Sequence, residues 1–323
     1  MSQVLRPLAS IFSAKDYPNL LAGFDPPDDA AVWKINEHQS LVISADFFTP
    51  VVDDAYDYGA IAAANSLSDI YAMGAKPFLA LNIAAFPTQL SAEVLSEIIR
   101  GGAEMAQAAG VIVAGGHTIQ DNELKFGLIV LGMAETNSIL MKSGVHAGDL
   151  LLLTKPIGVG VTTTAIKQQK AKRKDIAEAV GWMKKLNNQS AEIAVSVGLK
   201  SATDVTGFSL LGHALEMAES SNVKLIIESQ KVPLLTNALL YGQQGFFAGG
   251  ASDNKMYYSK YVNFTDSITE VMEMLLFDPQ TSGGLLIACP PAKLEQFQSL
   301  AKKFDQPFWI IGKAVNGSGI QVL

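Results

Sequence analysis

The first part of the chain alternates between segments with a strand pattern and segments with a helix pattern. Apolar residues that alternate or run together predict strands at 30–35, 40–46, 76–86, 111–116 and 124–135. Helical periodicity predicts helices at 56–73 and 92–109. Segment 111–116, VIVAGG, has the apolar run of a buried strand. The order of these elements predicts a mixed α/β unit.

A turn-rich segment, TNSILMKSGVHAGD at 136–149, predicts a boundary between two domains, 1–138 and 139–323. In the second domain the pattern predicts strands at 150–156, 223–228, 284–289 and 307–312. It predicts helices near 159–170, 173–197, 207–220 and 291–303. The Gly- and aromatic-rich segment 241–263 predicts a long loop. The second unit is therefore also α/β.

The composition fits a compact two-domain protein. The chain has 323 residues, of which 49% are hydrophobic and 17% charged, with a mean hydropathy of +0.22. No apolar run approaches the roughly 18 residues of a membrane span, and no secretory leader opens the chain. The single cysteine, Cys289, lies in a strand-like apolar segment, where a small buried side chain is favoured over a nucleophile. We therefore expect a cytoplasmic location and no membrane association.

The charge balance limits the possible partners. A net charge of −7 argues against nucleic acid, because binding a polyanion requires a basic face. The one basic cluster, KQQKAKRK at 167–174, is typical of a solvated turn. An acidic protein that handles an anionic substrate needs metal ions between the two. This requirement directs attention to the acidic side chains.

The segment from Ala45 to Lys76 carries the most informative polar residues. Asp46 ends a predicted strand, and Asn65 and Asp69 lie four residues apart on the Ala-rich helix that follows. A carboxylate on an apolar helix is costly to desolvate unless a cation or hydrogen-bond donors compensate it. Asp69 is therefore a candidate ligand, and Asp46 is either a second ligand or a simple cap.

Three further acids complete the candidate set. Asp28 and Asp29 precede a strand, so we expect one of them to face a site and the other solvent, although such a pair also signals a turn. Asp204 precedes an apolar helix, which favours an N-cap role unless Thr206 takes that role. Together with Asp46 and Asp69, these acids suggest Mg²⁺, which combines a few carboxylates with waters and substrate phosphates.

Glycine-rich segments offer weaker indications. The chain has no G-x-x-x-x-G-K-[ST] loop and no G-x-G-x-x-G after a strand. KPIGVGVTTT at 155–164 leads into a helix, where it either binds an anion or, as we favour, forms a tight turn. GGHT at 115–118 ends a strand, where it either contacts a ligand through His117 or Thr118 or forms a bare turn. His213 has no second histidine at metal spacing and is interpreted as a core or surface residue.

Seven motifs in order span nearly the whole chain and together resemble one family. They are DDAAVW, DFFTPVVDD, AAANSLSDIYAMGAKP, AGGHT, LTKPIGVG, ATDVTGFSLLGH and FDPQTSGGLL. The ordered set resembles the selenophosphate synthetases (selenide, water dikinases). This family is similar to aminoimidazole ribonucleotide synthetase, thiamine-monophosphate kinase and a hydrogenase-maturation protein, all of which handle ATP through Asp residues without a P-loop.

The resemblance implies a two-domain α/β (α+β) fold like that of aminoimidazole ribonucleotide synthetase. It implies an N-terminal sheet that forms a barrel across a homodimer and a C-terminal α/β sandwich. ATP, selenide and water would be converted into selenophosphate, phosphate and AMP with Mg²⁺. Motif matching places the metal-binding acids at Asp29, Asp46, Asp69 and Asp204. It places nucleotide contacts at Asp28, Asp46, Asn65, Asp69, Gly116, His117 and Thr118, the last three reaching toward the partner subunit.

The chain departs from the family pattern at its start. The resemblance implies a glycine-rich segment with a reactive Cys or selenocysteine and a nearby Lys ahead of the first motif, whereas this chain begins MSQVLRPLAS. We therefore expect no catalytic residue of that kind, binding of ATP and Mg²⁺, and severely impaired turnover. Two alternatives are a kinase related to thiamine-monophosphate kinase and a non-catalytic ATP-binding paralogue that acts through partners.

Overall fold

The computed structural model describes residues 11–12, 16–24 and 27–323, so the expectation about the first ten residues lies outside it. The N-terminal sheet has six strands in the order β1-β2-β3-β6-β4-β5. In chain order these strands are β1 Leu20–Phe24, β2 Pro27–Lys34, β3 Gln39–Phe48, β4 Lys76–Phe86, β5 Ile112–Gln120 and β6 Lys125–Glu135. All neighbouring pairs are antiparallel except β4 and β5, which run parallel.

Helix α1 (Ala55–Ala72) begins at Asp54, whose carboxylate accepts the backbone N–H of Asp57 at 2.8 Å. It packs beside α2 (Ala92–Ala108) on the N-terminal sheet. The contact is close, since a Cβ at Gly59 would lie 1.9 Å from the carbonyl oxygen of Ile98. The small side chains of α1 thus allow it to be buried on nearly every side, and its polar residues lie inside the molecule.

The second sheet has seven strands in the order β10-β13-β9-β12-β7-β11-β8. They are β7 Leu150–Leu153, β8 Ser201–Asp204, β9 Val223–Ile227, β10 Val262–Phe264, β11 Leu285–Cys289, β12 Trp309–Asn316 and β13 Ile320–Val322. The helices are α3 Val159–Lys167, α4 Arg173–Lys184, α5 Asn188–Val197, α6 Ser209–Ser221, α7 Ala238–Gln243, α8 Gly249–Tyr258, α9 Glu270–Leu276 and α10 Leu294–Lys303.

Helices cover both faces of the second sheet. Leu152 of β7 enters one buried apolar cluster, and its neighbours Leu151 and Leu153 enter another on the opposite face. Helix α1 also contacts β8 and α4, so it forms a wall shared by the two halves of the molecule. The two-sheet architecture confirms the predicted two-domain α/β fold. The boundary at 138/139 and the barrel across a dimer stay predictions.

Several details of the predicted elements are wrong. The helix expected at 173–197 is interrupted at 185–187, where buried Asn187 donates to the hydroxyl of Ser68 and the carbonyl of Gly283. The expected loop at 241–263 contains α8 and β10, and the elements β1, β8, β13, α7 and α9 were not predicted. Contacts between distant segments decide these regions, so local periodicity does not show them.

The outer face of the N-terminal sheet is apolar and open. Strand β5 forms its edge, and Ile112 is 68% exposed, so the prediction of a buried strand at 111–116 is wrong for this protomer. Trp33, Ile43 and Phe47 on β2 and β3 are exposed as well. Among the described residues no helix combines the length and apolar character needed to cross a bilayer.

Candidate functional site

Strand β3 and helix α1 carry the first half of the site. The Asn65 amide donates to the carboxylate of Asp46, and the Ser66 hydroxyl donates to the backbone carbonyl of Asp46 at 2.9 Å. One helical turn further along α1, Asp69 accepts the hydroxyl of Ser44. Asp46 is therefore held by α1 side chains within its sheet, and the interpretation of Asp46 as a simple cap is wrong.

Asp28 and Asp29 lie within β2, so they do not form a turn. Asp29 accepts the Lys142 ammonium and the Thr203 hydroxyl, each at 2.9 Å. Asp28 accepts the backbone N–H of Lys142 at 3.1 Å. The segment that contains Lys142 covers both acids, so the expectation that one of them faces solvent is wrong.

Asp204 is the last residue of β8 and is buried next to α1. Burial raises its pKa and a hydrogen bond from Ser68 lowers it, while one carboxylate oxygen, Oδ2, has no hydrogen-bond partner in the described part of the chain. Asp204 does not cap helix α6, which begins after Phe208 without a side-chain cap. Thr206 is not the cap either, because its hydroxyl lies 3.1 Å from Nε2 of His213. Asp204 thus faces the site.

Acids from four separate segments lie close enough together that the charges of some of them raise the pKa of their neighbours. Burial raises the pKa of Asp69 well above its usual value, and the charges of Asp204, Asp46 and Asp29 raise it further. Burial and the charge of Asp29 raise the pKa of Asp204 to about 6. Burial also raises the pKa of Asp46, and burial together with Asp29 raises that of Asp28 to about 7. The acids predicted as ligands therefore converge.

Three buried or half-buried side chains, Lys142, Glu216 and His213, extend from Asp29 and together form the buried relay. The Lys142 ammonium lies 2.9 Å from Asp29 and 2.9 Å from Glu216, and Glu216 lies 3.5 Å from Nδ1 of His213. Burial alone would lower the pKa of Lys142, but the two carboxylates raise it. Burial would raise the pKa of Glu216, but His213 and Lys142 lower it to about 2. Sequence reasoning missed Lys142 and Glu216, because neither belongs to a recognisable spacing.

A second buried lysine, Lys155, lies near Asp204. Its ammonium donates to the backbone carbonyl of Ser282 at 2.8 Å. Burial lowers its pKa to about 7, against the opposing charge of Asp204. Lys155 belongs to the LTKP motif that follows β7, so a lysine at the end of a buried strand was the available signal. Lys142 and Lys155 are therefore two buried lysines next to the acids.

A cavity of about 350 Å³ opens beside these acids. Both halves of the molecule line it, with Asp46, Phe48, Asn65, Thr206, Gly207, Phe208, Gln280 and Thr281. Two aromatic rings form part of the wall, whereas carboxylate, amide and hydroxyl groups form the rest. Such a mixed apolar and polar lining is typical of a small-molecule site.

The carboxylates fit a hard divalent cation that a substrate helps to bind. Within the described residues no three His, Cys, Asp or Glu side chains stand close enough to form a metal cage by themselves. Oδ2 of Asp29 and Oδ2 of Asp204 are nevertheless buried without a partner, beside other carboxylates that repel them. Mg²⁺ suits this arrangement, because it takes one or two carboxylates and fills its remaining positions with waters and phosphates.

The glycine-rich entry to α3 is a tight turn, as favoured from the sequence. Gln280 Oε1 accepts the backbone N–H groups of Gly158 and Val159 at 3.0 Å, and Asp278 accepts that of Val161 at 3.2 Å. These side chains occupy the helix N-terminus, so the N–H groups of Gly158, Val159 and Val161 are already bonded and not available to an anion. The anion-binding alternative for 155–164 is therefore wrong.

Asp278 is fully buried in this cap, and burial raises its pKa to about 7 from 3.8. Since the folded state holds the proton more tightly, this group's contribution to stability is lost as pH rises toward and through 7. Between pH 5 and pH 8 the loss is roughly 2–3 kcal/mol. We expect Asp278→Asn to remove that part of the pH dependence of the free energy of unfolding, measured by urea titration. Exposed Asp253, replaced by Asn, is the control, and equal pH slopes in the wild type and Asp278→Asn would contradict the assignment.

Gly116, His117 and Thr118 do not join this site in the same protomer. They lie within β5, so the bare-turn alternative is wrong, and β6 and β4 separate them from Asp46 on β3. Three strand spacings correspond to roughly 14 Å. Gly116 is required for packing, because a Cβ there would lie 2.2 Å from the carbonyl oxygen of Asn82.

Cys289 is buried at the end of β11, and burial raises the pKa of its thiol to about 11. A thiol of that pKa is almost wholly protonated at neutral pH and is a poor nucleophile. The interpretation of Cys289 as a small buried apolar residue is therefore confirmed.

Two family descriptions match the chain. The N-terminal domain of AIR synthase related protein matches residues 27–134, and its C-terminal domain matches residues 146–323. The selenide, water dikinase of Caldanaerobacter subterraneus subsp. tengcongensis is 46% identical over 296 residues, which cover 91% of this chain and 86% of the relative. That of Carboxydothermus hydrogenoformans is 44% identical over 306 residues, covering 95% and 87%.

Solved structures with low sequence identity share the fold. A thiamine-monophosphate kinase from Stenotrophomonas maltophilia is 18% identical, with a TM-score of 0.71 and coverage of 100% of this chain and 96% of that one. The hydrogenase maturation protein HypE, solved in complex with ATP, is 17% identical, with a TM-score of 0.65 and coverage of 96% and 86%. These similarities concern the fold alone.

Proposed function

Since the chain belongs to the selenide, water dikinase family, we propose that its acidic cluster binds Mg²⁺ and the phosphates of ATP for that family's reaction. The reaction converts ATP, selenide and water into selenophosphate, orthophosphate and AMP. One observation carries the proposal: Asp29, Asp46, Asp69 and Asp204 come from separate segments, and the charges of the other three acids raise the pKa of Asp69 in one buried region.

Asp29, Asp46, Asp69 and Asp204 would hold the metal, with Asp28 and Asn65 beside the nucleotide. Mg²⁺ would supply positive charge that neutralises the triphosphate. The protein's own groups orient the ligands: Asn65 holds the carboxylate of Asp46, and Lys142 with Thr203 holds Asp29. These contacts position the ligands before substrate arrives, which is the main protein contribution in phosphoryl transfer.

The test is the identity of the phosphorus products. With ATP, Mg²⁺ and selenide we expect AMP and orthophosphate in equal amounts and a selenium-coupled ³¹P signal of selenophosphate. The resemblance assigns a catalytic role to a Cys–Lys segment ahead of the first motif, and we expect impaired turnover for this chain. The test therefore measures which products form and not how fast they form. ADP formation that depends on thiamine monophosphate would favour the related-kinase alternative. Binding of ATP without turnover of any substrate would favour the non-catalytic paralogue.

We further propose a homodimer whose two subunits share each site. The open apolar face with Trp33, Ile43 and Phe47 supports it, because a monomer rarely exposes such a face without a partner. Within the described residues no strand pairs with the outer edge of β5, which supports it as well, because edge strands are normally covered or paired. Pairing through this sheet would bring Gly116, His117 and Thr118 toward the partner's nucleotide, and it would form the predicted barrel.

Shared sites predict complementation between inactive variants. We expect Asp69→Asn and His117→Ala each to lose ATP binding, whereas an equimolar mixture, unfolded and refolded together, should recover about a quarter of the wild-type capacity. Half of the mixed population would be heterodimers, each with one intact composite site. Equilibrium dialysis measures the capacity. A mixture that binds no more than the separate variants would argue that each site belongs to a single subunit.

The substrates would be small molecules, with no nucleic acid and no membrane among the partners. The net charge of −7 supports the exclusion of nucleic acid. The cytoplasmic location stays a prediction.

A further inference from the structure

The turn at 278–284 connects α9 to β11 and reaches the cavity with Gln280 and Thr281. Its next residue, Ser282, has a φ of +51°. This is the left-handed region, which residues with a side chain rarely adopt, Asn and Asp less rarely than the others. The residue is also buried, and its hydroxyl has no hydrogen-bond partner among the residues that the structure describes. A non-glycine residue persists in this conformation only when surrounding contacts impose it.

Lys155 supplies the contact that holds the carbonyl side of Ser282. Its ammonium is buried and donates to the Ser282 oxygen at 2.8 Å. The segment also packs on the turn, since a Cβ at Gly284 would lie 2.4 Å from the backbone nitrogen of Lys155. No carboxylate lies within salt-bridge distance of this ammonium in the described part of the chain. Its nearest polar partner is therefore the turn itself.

The N–H side of Ser282 continues the connection into the site. Ser282 donates to Asn65 Oδ1 at 2.9 Å, and Asn65 Nδ2 donates to Asp46. A backbone N–H can only donate, so it fixes which end of the Asn65 amide faces the turn. The opposite end must then present its donors to Asp46. The contacts run from Lys155 through Ser282 and Asn65 to Asp46.

We propose that Lys155 is a positioning residue, which holds the left-handed turn at Ser282 so that the amide of Asn65 is aimed at Asp46. The proposal rests on the proposed binding of Mg²⁺ and ATP at Asp46. In this role Lys155, the lysine of the LTKP motif, acts on Asp46 through Ser282 and Asn65 and does not contact the substrate.

The test compares Lys155→Met with Lys293→Met. Lys293 is a matched control, because its ammonium also donates to a backbone carbonyl, that of Gly198 at 2.6 Å, outside the site. Hydrogen exchange of the peptide 278–284, measured without nucleotide, should rise at Ser282 in Lys155→Met and stay at the wild-type rate in Lys293→Met. Affinity for ATP with Mg²⁺, measured by calorimetry, should fall about tenfold or more in Lys155→Met only.

A double-mutant cycle separates positioning from a direct or merely structural role. In an Asn65→Ala background, Lys155→Met should reduce ATP affinity by less than about twofold, because the connection is already broken. Lys155→Arg, which keeps the charge and the donors, should restore most of the affinity. If Lys155→Met does not fold, Lys155→Gln is measured in the same way. Unchanged exchange at Ser282, or a full additive loss in the Asn65→Ala background, would overturn the proposal.

The exchange measurement keeps this inference apart from the proposed function. A wild-type protein that does not bind ATP with Mg²⁺ would overturn the proposed function, whereas the response of Ser282 to Lys155→Met would still be observed. Conversely, normal ATP binding with unchanged exchange at Ser282 would overturn only the role of Lys155.

Discussion

Replacing Asp69 by asparagine is expected to abolish the rise in melting temperature that ATP with Mg²⁺ causes in the wild type. Asp69 faces the charges of Asp204, Asp46 and Asp29, all of which raise its pKa. Losing a metal-binding carboxylate should weaken affinity for the Mg²⁺–ATP complex at least about 100-fold, or about 2.7 kcal/mol. Thermal unfolding with and without ligand measures the effect.

Without ligand, Asp69→Asn should be at least as stable to heat as the wild type. Because the neutral amide in Asp69→Asn would no longer repel the neighbouring acids, the melting temperature without ligand should equal or exceed that of the wild type. Asp253→Asn makes the same charge change at an exposed position on α8 and should leave the ligand response intact. A wild-type ligand response in Asp69→Asn would remove Asp69 from the site, whereas a strongly destabilised unliganded variant would argue for a structural role.

Replacing Lys142 by methionine is expected to cost about 3–5 kcal/mol in the free energy of unfolding at neutral pH. The Lys142 ammonium is the cation shared by Asp29 and Glu216, at 2.9 Å from each. Its removal leaves two carboxylates in a buried region without compensation, and Asp28 loses a neighbouring positive charge. Urea titration measures the loss.

A surface pair is the control for Lys142. Lys231 lies 2.8 Å from Glu228, and both side chains are well exposed, so Lys231→Met should cost at most about 1 kcal/mol. Adding Glu216→Gln to Lys142→Met should recover part of the loss, since one of the unpaired charges is then removed. Equal effects of Lys142→Met and Lys231→Met would show that the buried relay contributes no special stability.

The parts of the molecule that follow local pattern were predictable. Helices α1 and α2 and strands β3, β4 and β6 follow from periodicity and apolar runs, because their apolar residues pack into one buried cluster. The acids were found because a carboxylate is costly on an apolar segment such as α1. The ordered motifs then identified one family, and the family matches confirm that identification, whereas the roles of the acids stay predictions.

The remaining features depend on contacts between segments far apart in the chain. Asn187 interrupts a helical pattern in order to bond Ser68 and Gly283, which no local signal indicates. Lys142 lies in a turn-rich segment and becomes a buried ion-pair partner only when β2 and α6 meet it. Strand β5 has the apolar sequence of a buried strand but lies exposed at the edge of its sheet. Its sequence alone does not indicate its position in the sheet or what covers it.

The shared wall formed by α1 has a consequence for how the protein unfolds. Asn65, Ser68 and Asp69 belong to the first half by sequence, yet their partners at Ser282, Asn187 and Asp204 belong to the second. Pulling the halves apart would dismantle the pocket before either sheet melts. A bound nucleotide should therefore stabilise the contact between the two halves, so that they melt together in a single cooperative transition.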